Sequence, residues 1–514
     1  MAFSYLPADR DQLFLLPVDM REWLPEDHLA YFVIDVVAHI DTSALHAAHA
    51  NDGAGRAAYD PDMMLALLVY AYCTAVRSSR RIEAACRSDI AFRVITANRC
   101  PDHTTVARFR QAHEALAQAM FVDVLALCAQ AGLAEVGVVA IDGTKLAANA
   151  SMGANVDLAR LEALVAELFA QAEAEDRSEG GGRAGLPAEL ARPSARAARL
   201  SAARAKLLAH KKAQADKAAA TKAQGERAER QAAAEGRVAL GRAPVGRELA
   251  RAEATLERAR EAAREHHRAL SERWRGTQVH LASPESSSRV RKAEAHLARV
   301  KARVAAREAA LAGRRPSKGG EPKANTTDPD SALMKVPMGY LQGYNAQAAV
   351  GPTGVVLAAE LDAVLSDVVY FGPMLAALAA NLAGAEACTQ VGTVLADAGY
   401  WSEANATCPG PDRLIATTKT YKLRLKQRSE GPPPEGASPA QAMEHRLCSA
   451  QGAALYAKRS VTVEPVFGQQ KEIMGFRRFS RRGLGAVRAE WKLLNTAHNV
   501  LKLYRSGAVP GALA

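Results

Sequence analysis

The chain has 514 residues, which is too many for one ordinary hydrophobic core, so two or three domains are expected. Its formal net charge of +11 and pI near 9.3 favour a polyanionic partner, either nucleic acid or an anionic membrane surface. The longest apolar run, residues 63–76, is too short to cross a bilayer, and the first residues lack a secretory signal, so no membrane partner and a cytoplasmic location are predicted. Seven scattered cysteines without a C-x-x-C pair argue against a zinc site or a disulfide framework.

The first part of the chain, residues 1–130, is predicted to be a helical N-terminal domain. Apolar residues recur at helical spacing in DHLAYFVIDVVAHI and in PDMMLALLVYAYCTAV. The segments SSRRIEAACRSDIAFRVI and TTVARFRQAHEALAQAMF are typical of a trihelical DNA-binding unit, in which Thr104 would cap a helix that presents Arg108 and Arg110. The stretch between them is longer than the turn of a helix-turn-helix, so a plain solvated helix surface remains the alternative.

Strands begin after this helical region. The β-branched run in VGVVAIDGTKLAANAS predicts a first strand within residues 131–151. Residues 326–508 then give a hairpin (GYNAQAAV, the turn GPTG, VVLAAEL), a helix (FGPMLAALAANLAG) and two further strands (VGTVLAD and RLIATTK). Strands that alternate with helices predict an α/β domain.

Between these two segments lies a basic insertion, residues 152–325, rich in Ala, Arg, Lys and Glu. It is predicted to form long helices, as a helical hairpin or a short coiled coil. Residues 183–318 hold 32 Lys and Arg against 14 Asp and Glu, a difference of +18, so the rest of the chain carries 11 − 18 = −7. The insertion is either a solvated spacer or an arm that grips a DNA backbone through counterion release.

Three acidic residues occupy positions suited to chemistry. Asp142 and Asp397 each follow an apolar run of a predicted strand, and Glu464 precedes Pro465, which predicts a position before or within the first turn of a helix. Each has a structural alternative: an Asp-Gly turn at Asp142, a turn cap at Asp397, and a favourable interaction with a helix dipole at Glu464. Gathered in one domain, three carboxylates would need a cation, and oxygen ligands suit Mg²⁺ or Mn²⁺, two ions per active site in phosphoryl transfer.

In this order the motifs resemble those of DDE transposases of bacterial insertion sequences. The matching segments are YDPDMMLALLVYAYCTAVRSSRRIEAACRSDIAFRVI, PDHTTVARFR, AIDGTKLAANAS, TDPDSALMK, GYNAQAAV, LADAGYWSEAN and VEPVFGQQKEIMGFRRFSRRG. The resemblance implies an RNase H-like α/β catalytic core, and the basic, coiled-coil-like helical insertion lies outside the matching segments. It also implies catalytic and metal-binding roles for Asp142 on the first strand, Asp397 after the fourth, and Glu464 on a later helix.

The same family carries a tyrosine, arginine, glutamate and lysine signature around its last acid, here Tyr456, Arg459, Glu464 and Lys471. Four residues separate Arg459 from Glu464, one more than the family pattern, whereas the glutamate-to-lysine spacing agrees and would return both to one helical face. By this resemblance Tyr456, Arg459 and Lys471 would contact DNA, and the surface would extend to Arg477 and Arg478. Buried aromatic residues beside exposed arginines are the alternative for Phe476 to Phe479, and Tyr400 and Trp401 would either stack on an unpaired base or lie in the core.

The implied function is cutting at the ends of an insertion sequence and joining those ends to target DNA. Its partners would be double-stranded DNA, as terminal inverted repeats and target, and a second copy of the chain in a homodimer. A catalytically inactive DNA-binding relative and a metal-dependent nuclease of the same fold are the alternatives. The sequence contains no phosphate-binding loop of the G-x-x-x-x-G-K-[ST] type, so no nucleotide cofactor is expected.

Overall fold

The computed structural model describes residues 19–47, 58–177, 193–235, 247–275, 280–312, 322–337, 339–419, 422 and 426–512. They form two compact units, one of Met1–Asn155 with Asn325–Ala514 and one of Val156–Ala324. Sequence analysis placed the insertion at 152–325, close to the bounds of the second unit.

Seven helices open the first unit within the described residues: α1 (Leu29–Ala38), α2 (Ser43–Ala47), α3 (Pro61–Cys73), α4 (Ser79–Ser88), α5 (Ile90–Ile95), α6 (His103–Ala112) and α7 (Ala117–Gln130). Helix α3 begins with Asp60 as its cap and Pro61 at its first position, where a missing N–H costs nothing. Helix α6 is capped by Asp102, whose carboxylate accepts from the backbone N–H groups of Thr104 and Thr105, so the prediction that Thr104 caps this helix is wrong.

The strands are β1 (Val138–Ala147), β2 (Asn155–Val156), β3 (Ala324–Asn325), β4 (Ala332–Val336), β5 (Gly339–Val350), β6 (Val356–Asp362), β7 (Thr393–Ala396) and β8 (Asp412–Ile415). Strands β2 and β3 pair with each other, and the rest form one six-stranded mixed sheet. β5 is antiparallel to β1 and, at its other edge, to β4 and β6, while β1, β7 and β8 are parallel. The predicted hairpin of β5 and β6 and the predicted strands around residues 138, 393 and 412 are confirmed.

The helices of the second unit are α8 (Leu158–Arg177), α9 (Pro193–Ala234), α10 (Glu248–Arg273) and α11 (Ser288–Ala312). Helices α8 and α9 bury Leu161, Leu200 and Leu207 against each other. Helices α10 and α11 form a hairpin around a small core of Leu256, Ala259, Val290 and Ala293. The predicted long helices of this segment are therefore present.

The remaining helices of the first unit are α12 (Phe371–Gly384), α13 (Glu403–Thr407), α14 (Pro439–Cys448), α15 (Ala450–Gly468) and α16 (Leu484–Arg505). Helix α16 packs on α7, α3 and β6, so the N-terminal helices and the sheet share one continuous core. Among the described residues one segment, Asp367–Gly384, is long and apolar enough to span a membrane, a property that core helices share. Its Phe371, Met374 and Leu378 are buried in that core.

Candidate active site

Asp142 and Asp397 lie side by side because of the parallel register of β1 and β7. Ile141 on β1 is paired with Ala396 on β7, so the next residue along each segment is one of the two acids. Strand β1 continues through Asp142 and Gly143 to Ala147, which excludes the Asp-Gly turn considered above. Asp397 follows the last residue of β7 and accepts a 2.8 Å hydrogen bond from the Gly399 backbone N–H, which caps a short 3₁₀ turn. Both the capping role and the neighbouring position are therefore realised at Asp397.

The Asp142 carboxylate is mostly buried and is bonded on both oxygens. Oδ1 accepts from the Gly143 backbone N–H at 2.8 Å, and Oδ2 accepts from Nη1 of Arg459 at 2.7 Å. Burial raises the pKa of Asp142, the Arg459 charge opposes that rise, and the neighbouring charge of Asp397 adds to it. A second carboxylate and a low-dielectric surrounding thus make Asp142 a site where an additional cation is stabilising.

Arg459 connects the first acid to the third. Its other terminal nitrogen, Nη2, lies 3.5 Å from Oε1 of Glu464, whose side chain is 60% exposed, whereas Arg459 itself is largely buried. Burial disfavours the charged guanidinium, but the charges of Asp142, Tyr456 and Asp397 and the hydrogen bond to Asp142 together raise the pKa of Arg459. The guanidinium therefore supplies positive charge between two carboxylates, and the extra residue between Arg459 and Glu464 does not keep Arg459 from the site.

The helix around Glu464 differs from the prediction. Glu464 lies inside α15, four residues before its last residue, and Pro465 follows it, so neither is at a helix start. A proline removes an N–H donor and crowds the preceding turn, and the helix leaves the α pattern directly afterwards, since residues Gln469–Ile473 form a π-helical turn. The prediction of a helix start at Pro465 was wrong. The proline is tolerated inside α15, shortly before the helix changes to a π turn.

Lys471 lies in that π turn and donates to Oγ1 of Thr144 on β1. Thr144 is two residues after Asp142, so their side chains share one face of the strand. Burial lowers the pKa of Lys471, with the Arg477 charge acting in the same direction, while Asp142 opposes the shift. Arg459 and Lys471 thus meet the same face of β1 as the first acid.

A fourth carboxylate, Asp367, was missed by sequence analysis. Its Oδ1 accepts from Nδ2 of Asn345 at 2.7 Å and from Nε2 of Gln347 at 3.1 Å, both on β5. A Cβ placed on Gly399 would lie 2.9 Å from Oδ1 of Asp397 and 3.0 Å from Oδ2 of Asp367, so the two acids flank the same glycine. A signal was present: Asn345 and Gln347 are amides in a largely buried strand, and buried polar groups require partners.

Gly143 makes room for this network. A Cβ at Gly143 would overlap the Gln347 side-chain amide, which stands directly across the strand pair. Tyr400, which is fully buried, donates to Oε1 of the same glutamine. Burial raises the pKa of Tyr400 well above its ordinary value, and the charges of Asp142, Asp367 and Asp397 act in the same direction. Tyr400 is a core residue, while Trp401 is half-buried.

The other predicted DNA-binding residues fall into two groups. Exposed ones are Arg108, Arg477, which pairs with Glu472, and Arg478. Two are held inside the protein: Tyr456 is 7% exposed in a cluster with Leu395, Leu414 and Leu447, and Arg110 donates to the Tyr72 hydroxyl at 3.4 Å and to the Arg77 carbonyl at 3.1 Å. Phe476 and Phe479 are buried, so the alternative of core aromatics beside exposed arginines describes this segment.

The donor chemistry of the site suits a hard divalent cation. Asp142 and Asp397 offer neighbouring carboxylate oxygens, the ligands that Mg²⁺ and Mn²⁺ prefer, and the raised pKa of Asp142 reflects a charge that a cation would relieve. Within the described residues no three His, Cys, Asp or Glu side chains are grouped closely enough to hold an ion, and Arg459 pairs with both Asp142 and Glu464. The Arg459 guanidinium thus lies between the carboxylates, where part of the positive charge of a bound metal ion is expected.

Two family models match the chain. One, described as a Transposase domain (DUF772), matches residues 18–112, and the other, described as a Transposase DDE domain, matches residues 417–504. No curated protein and no solved structure matches. The second match contains Arg459, Glu464 and Lys471, the residues that meet Asp142 and Thr144 in the structure. A transposase domain before the first acid and a transposase DDE domain around the last support a DDE transposase of an insertion sequence.

Proposed function

We propose that this transposase cuts DNA at the ends of its insertion sequence and joins the freed ends to target DNA by two-metal phosphoryl transfer. The observation that carries the proposal is the position of Asp142 and Asp397 on adjacent parallel strands, with Arg459 linking Asp142 to Glu464. Mg²⁺ or Mn²⁺ held by Asp142, Asp397 and Glu464 would activate water or a 3′ hydroxyl as nucleophile and stabilise the departing oxygen.

The basic residues of the site have roles that follow from their positions. Arg459 is placed to screen Asp142 from Glu464 and to meet a phosphate that enters between them, since a guanidinium offers several donors in a fixed plane. Lys471, held over Thr144, puts a second positive charge on the same strand face. Exposed Arg477, Arg478 and Arg108 would contact more distant phosphates. Positioning and charge stabilisation carry the catalysis, with no covalent protein intermediate.

The proposed DNA partners are terminal inverted repeats and a target duplex, and the proposed assembly is a homodimer, because two DNA ends must be joined together. Tyr456 enters this proposal as a residue that supports α15 from the core, since its ring is buried against β7 and β8. The cytoplasm is the expected location, where DNA is accessible.

The test uses the purified protein and a labelled duplex that carries the DNA flanking its own gene, incubated with Mg²⁺ or with EDTA. A metal-dependent 3′ hydroxyl at the repeat boundary is expected, followed by joining to a second duplex. Asp142→Asn should lower cleavage by at least about a hundredfold while leaving end binding intact, because it removes one metal-binding charge.

The matched control is Glu403→Gln, which neutralises an exposed acid six residues after Asp397. This variant should cut DNA like the unmodified protein. Cleavage without joining would identify a nuclease. Binding without any metal-dependent cut would identify an inactive DNA-binding relative, and loss of end binding in Asp142→Asn would make that residue structural.

A further inference from the structure

The charges of the α10–α11 hairpin are distributed unequally between its two helices. Over Glu248–Arg273, helix α10 has six arginines and six glutamates, several of them in E-x-x-R order. That spacing places opposite charges on neighbouring turns, and Arg260 is paired with Glu257 at 3.1 Å and with Glu294 across the hairpin at 3.2 Å. Helix α10 is therefore close to electrically neutral and largely satisfied by its own charges.

Helix α11 is different. Between residues 288 and 306 it has six Lys and Arg against the single acid Glu294, which the facing helix already neutralises. Its apolar residues Val290 and Ala293 are buried against α10 and Val300 is also buried, so its cations must lie on the remaining surface. The side chains of all six cations are exposed: Arg289, Arg291, Lys292, Arg299, Lys301 and Arg303.

Four of these cations share one face. At about 100° of rotation per residue, Arg289, Lys292, Arg299 and Arg303 fall within an arc of about 80°, and the stripe is about 21 Å long at a rise of about 1.5 Å per residue. Exposed His296 lies on the same arc, and the intervening positions near it are alanines, so no acid interrupts the stripe. We call these four residues the α11 stripe.

We propose that the α11 stripe is a surface that binds the phosphate backbone of duplex DNA without reading its sequence, while α10 serves as the scaffold that holds it. This inference rests on the proposed function in taking DNA as the partner. A duplex carries one negative charge every ~1.7 Å along its axis, so a straight row of cations about 21 Å long can meet several phosphates at once. The alanines between the cations remove bulk that would hold the helix away from the backbone, and contacts from cations to phosphates fix the position of a duplex without reading its sequence.

A second copy of the chain is a poorer partner for this surface. Most acids of α10 have an arginine three residues later in the sequence. Helix α10 therefore presents no row of acids that could complement the α11 stripe of a second copy. Leu256, Ala259, Val290 and Ala293 are already buried between α10 and α11.

The test compares the full chain with two variants of equal charge change. One replaces the stripe, Arg289→Gln, Lys292→Gln, Arg299→Gln and Arg303→Gln, and the other replaces four exposed arginines on or just after α10, Arg264→Gln, Arg268→Gln, Arg273→Gln and Arg275→Gln. Binding to a duplex of unrelated sequence is measured over a series of salt concentrations. The slope of log K against log salt should fall in magnitude by about 3 to 4 in the stripe variant and by less than about 1 in the control, since each lost phosphate contact removes about 0.9.

Equal slopes for the stripe variant and the unmodified protein would overturn the inference, as would equal changes in both variants, which would indicate only net charge. A change in molar mass by light scattering in the stripe variant, with an unaltered DNA slope, would assign the stripe to pairing of copies and would also overturn it. Circular dichroism confirms that the hairpin folds in both variants. The slope is measured on non-specific DNA without metal, so it remains decisive even if end cleavage, and with it the proposed function, fails.

Discussion

At the scale of single residues, the site is a set of charges held close together by buried amides. Asn345 and Gln347 are almost completely buried, and both donate to the same oxygen of Asp367. A buried amide left without a partner is costly, so these bonds fix the orientation of the carboxylate. Asp367 in turn adds negative charge beside Asp397. This charge strengthens the attraction of a cation to the end of β7.

Asp367→Asn tests that role with little change in shape. The Asn oxygen can accept from the same two amides, so the substitution removes the charge and retains the geometry. We expect cleavage at low Mg²⁺ to fall by about tenfold or more and the Mg²⁺ concentration for half-maximal cleavage to rise, because attraction for the cation is reduced. End binding and thermal unfolding should stay near those of the Glu403→Gln control. An unchanged Mg²⁺ titration would show that Asp367 only supports the fold.

At the scale of elements, helix α16 depends on a neutral buried histidine. His498 is fully buried, and its Nε2 donates to the carbonyl oxygen of Gly354 at 3.0 Å. Gly354 lies in the turn between β5 and β6. Burial lowers the pKa of His498 from 6.5 to about 4, with Lys502 and Arg505 acting in the same direction. The helix therefore holds this hairpin turn through a group that resists protonation.

The lowered pKa of His498 in the folded protein predicts a loss of stability in mild acid. Between pH 6.5 and about 4 the unfolded chain binds a proton at His498 that the folded chain does not, so the contribution is complete above pH 6.5 and is lost as pH falls through this window. The loss amounts to about 3 kcal/mol once pH is below the folded-state pKa. Urea unfolding at a series of pH values should show the slope of about one proton in the unmodified protein, and His498→Gln should remove that component. Parallel curves for the two proteins would refute this assignment.

At the scale of the whole chain, one buried carboxylate joins distant parts of the sequence within the first unit. Glu490 on α16 is 2% exposed and accepts from the Tyr72 hydroxyl at 3.1 Å and from the backbone N–H groups of Ser480 and Arg481 at 2.9 and 3.1 Å. It thereby ties α3 to the basic loop that follows the DDE signature. The segment that matches the transposase domain near the N-terminus and the segment that matches the transposase DDE domain near the C-terminus thus stabilise each other.

Glu490→Ala should lower the free energy of unfolding of the first unit by about 3 kcal/mol, because it leaves the buried hydroxyl and two backbone donors without their acceptor. Urea unfolding followed by the fluorescence of the adjacent, buried Trp491 measures the loss. Glu403→Ala, at an exposed position, should stay within about 0.5 kcal/mol of the unmodified protein. A loss below about 1 kcal/mol for Glu490→Ala would mean that packing alone holds these segments together.

The sequence by itself determined the alternation of elements, the basic helical insertion and the positions of Asp142 and Asp397 after the apolar runs of two strands, because apolar periodicity and charge are local properties. Only the tertiary structure decided which polar residues meet: it brought Arg459 between Asp142 and Glu464, placed Lys471 over Thr144, added Asp367, and turned Tyr456, Tyr400 and Arg110 inward. Strand register, a π turn after Pro465 and burial set these contacts. Two of these contacts join residues more than 300 positions apart, Arg459 with Asp142 and Lys471 with Thr144, whose approach no local pattern encodes.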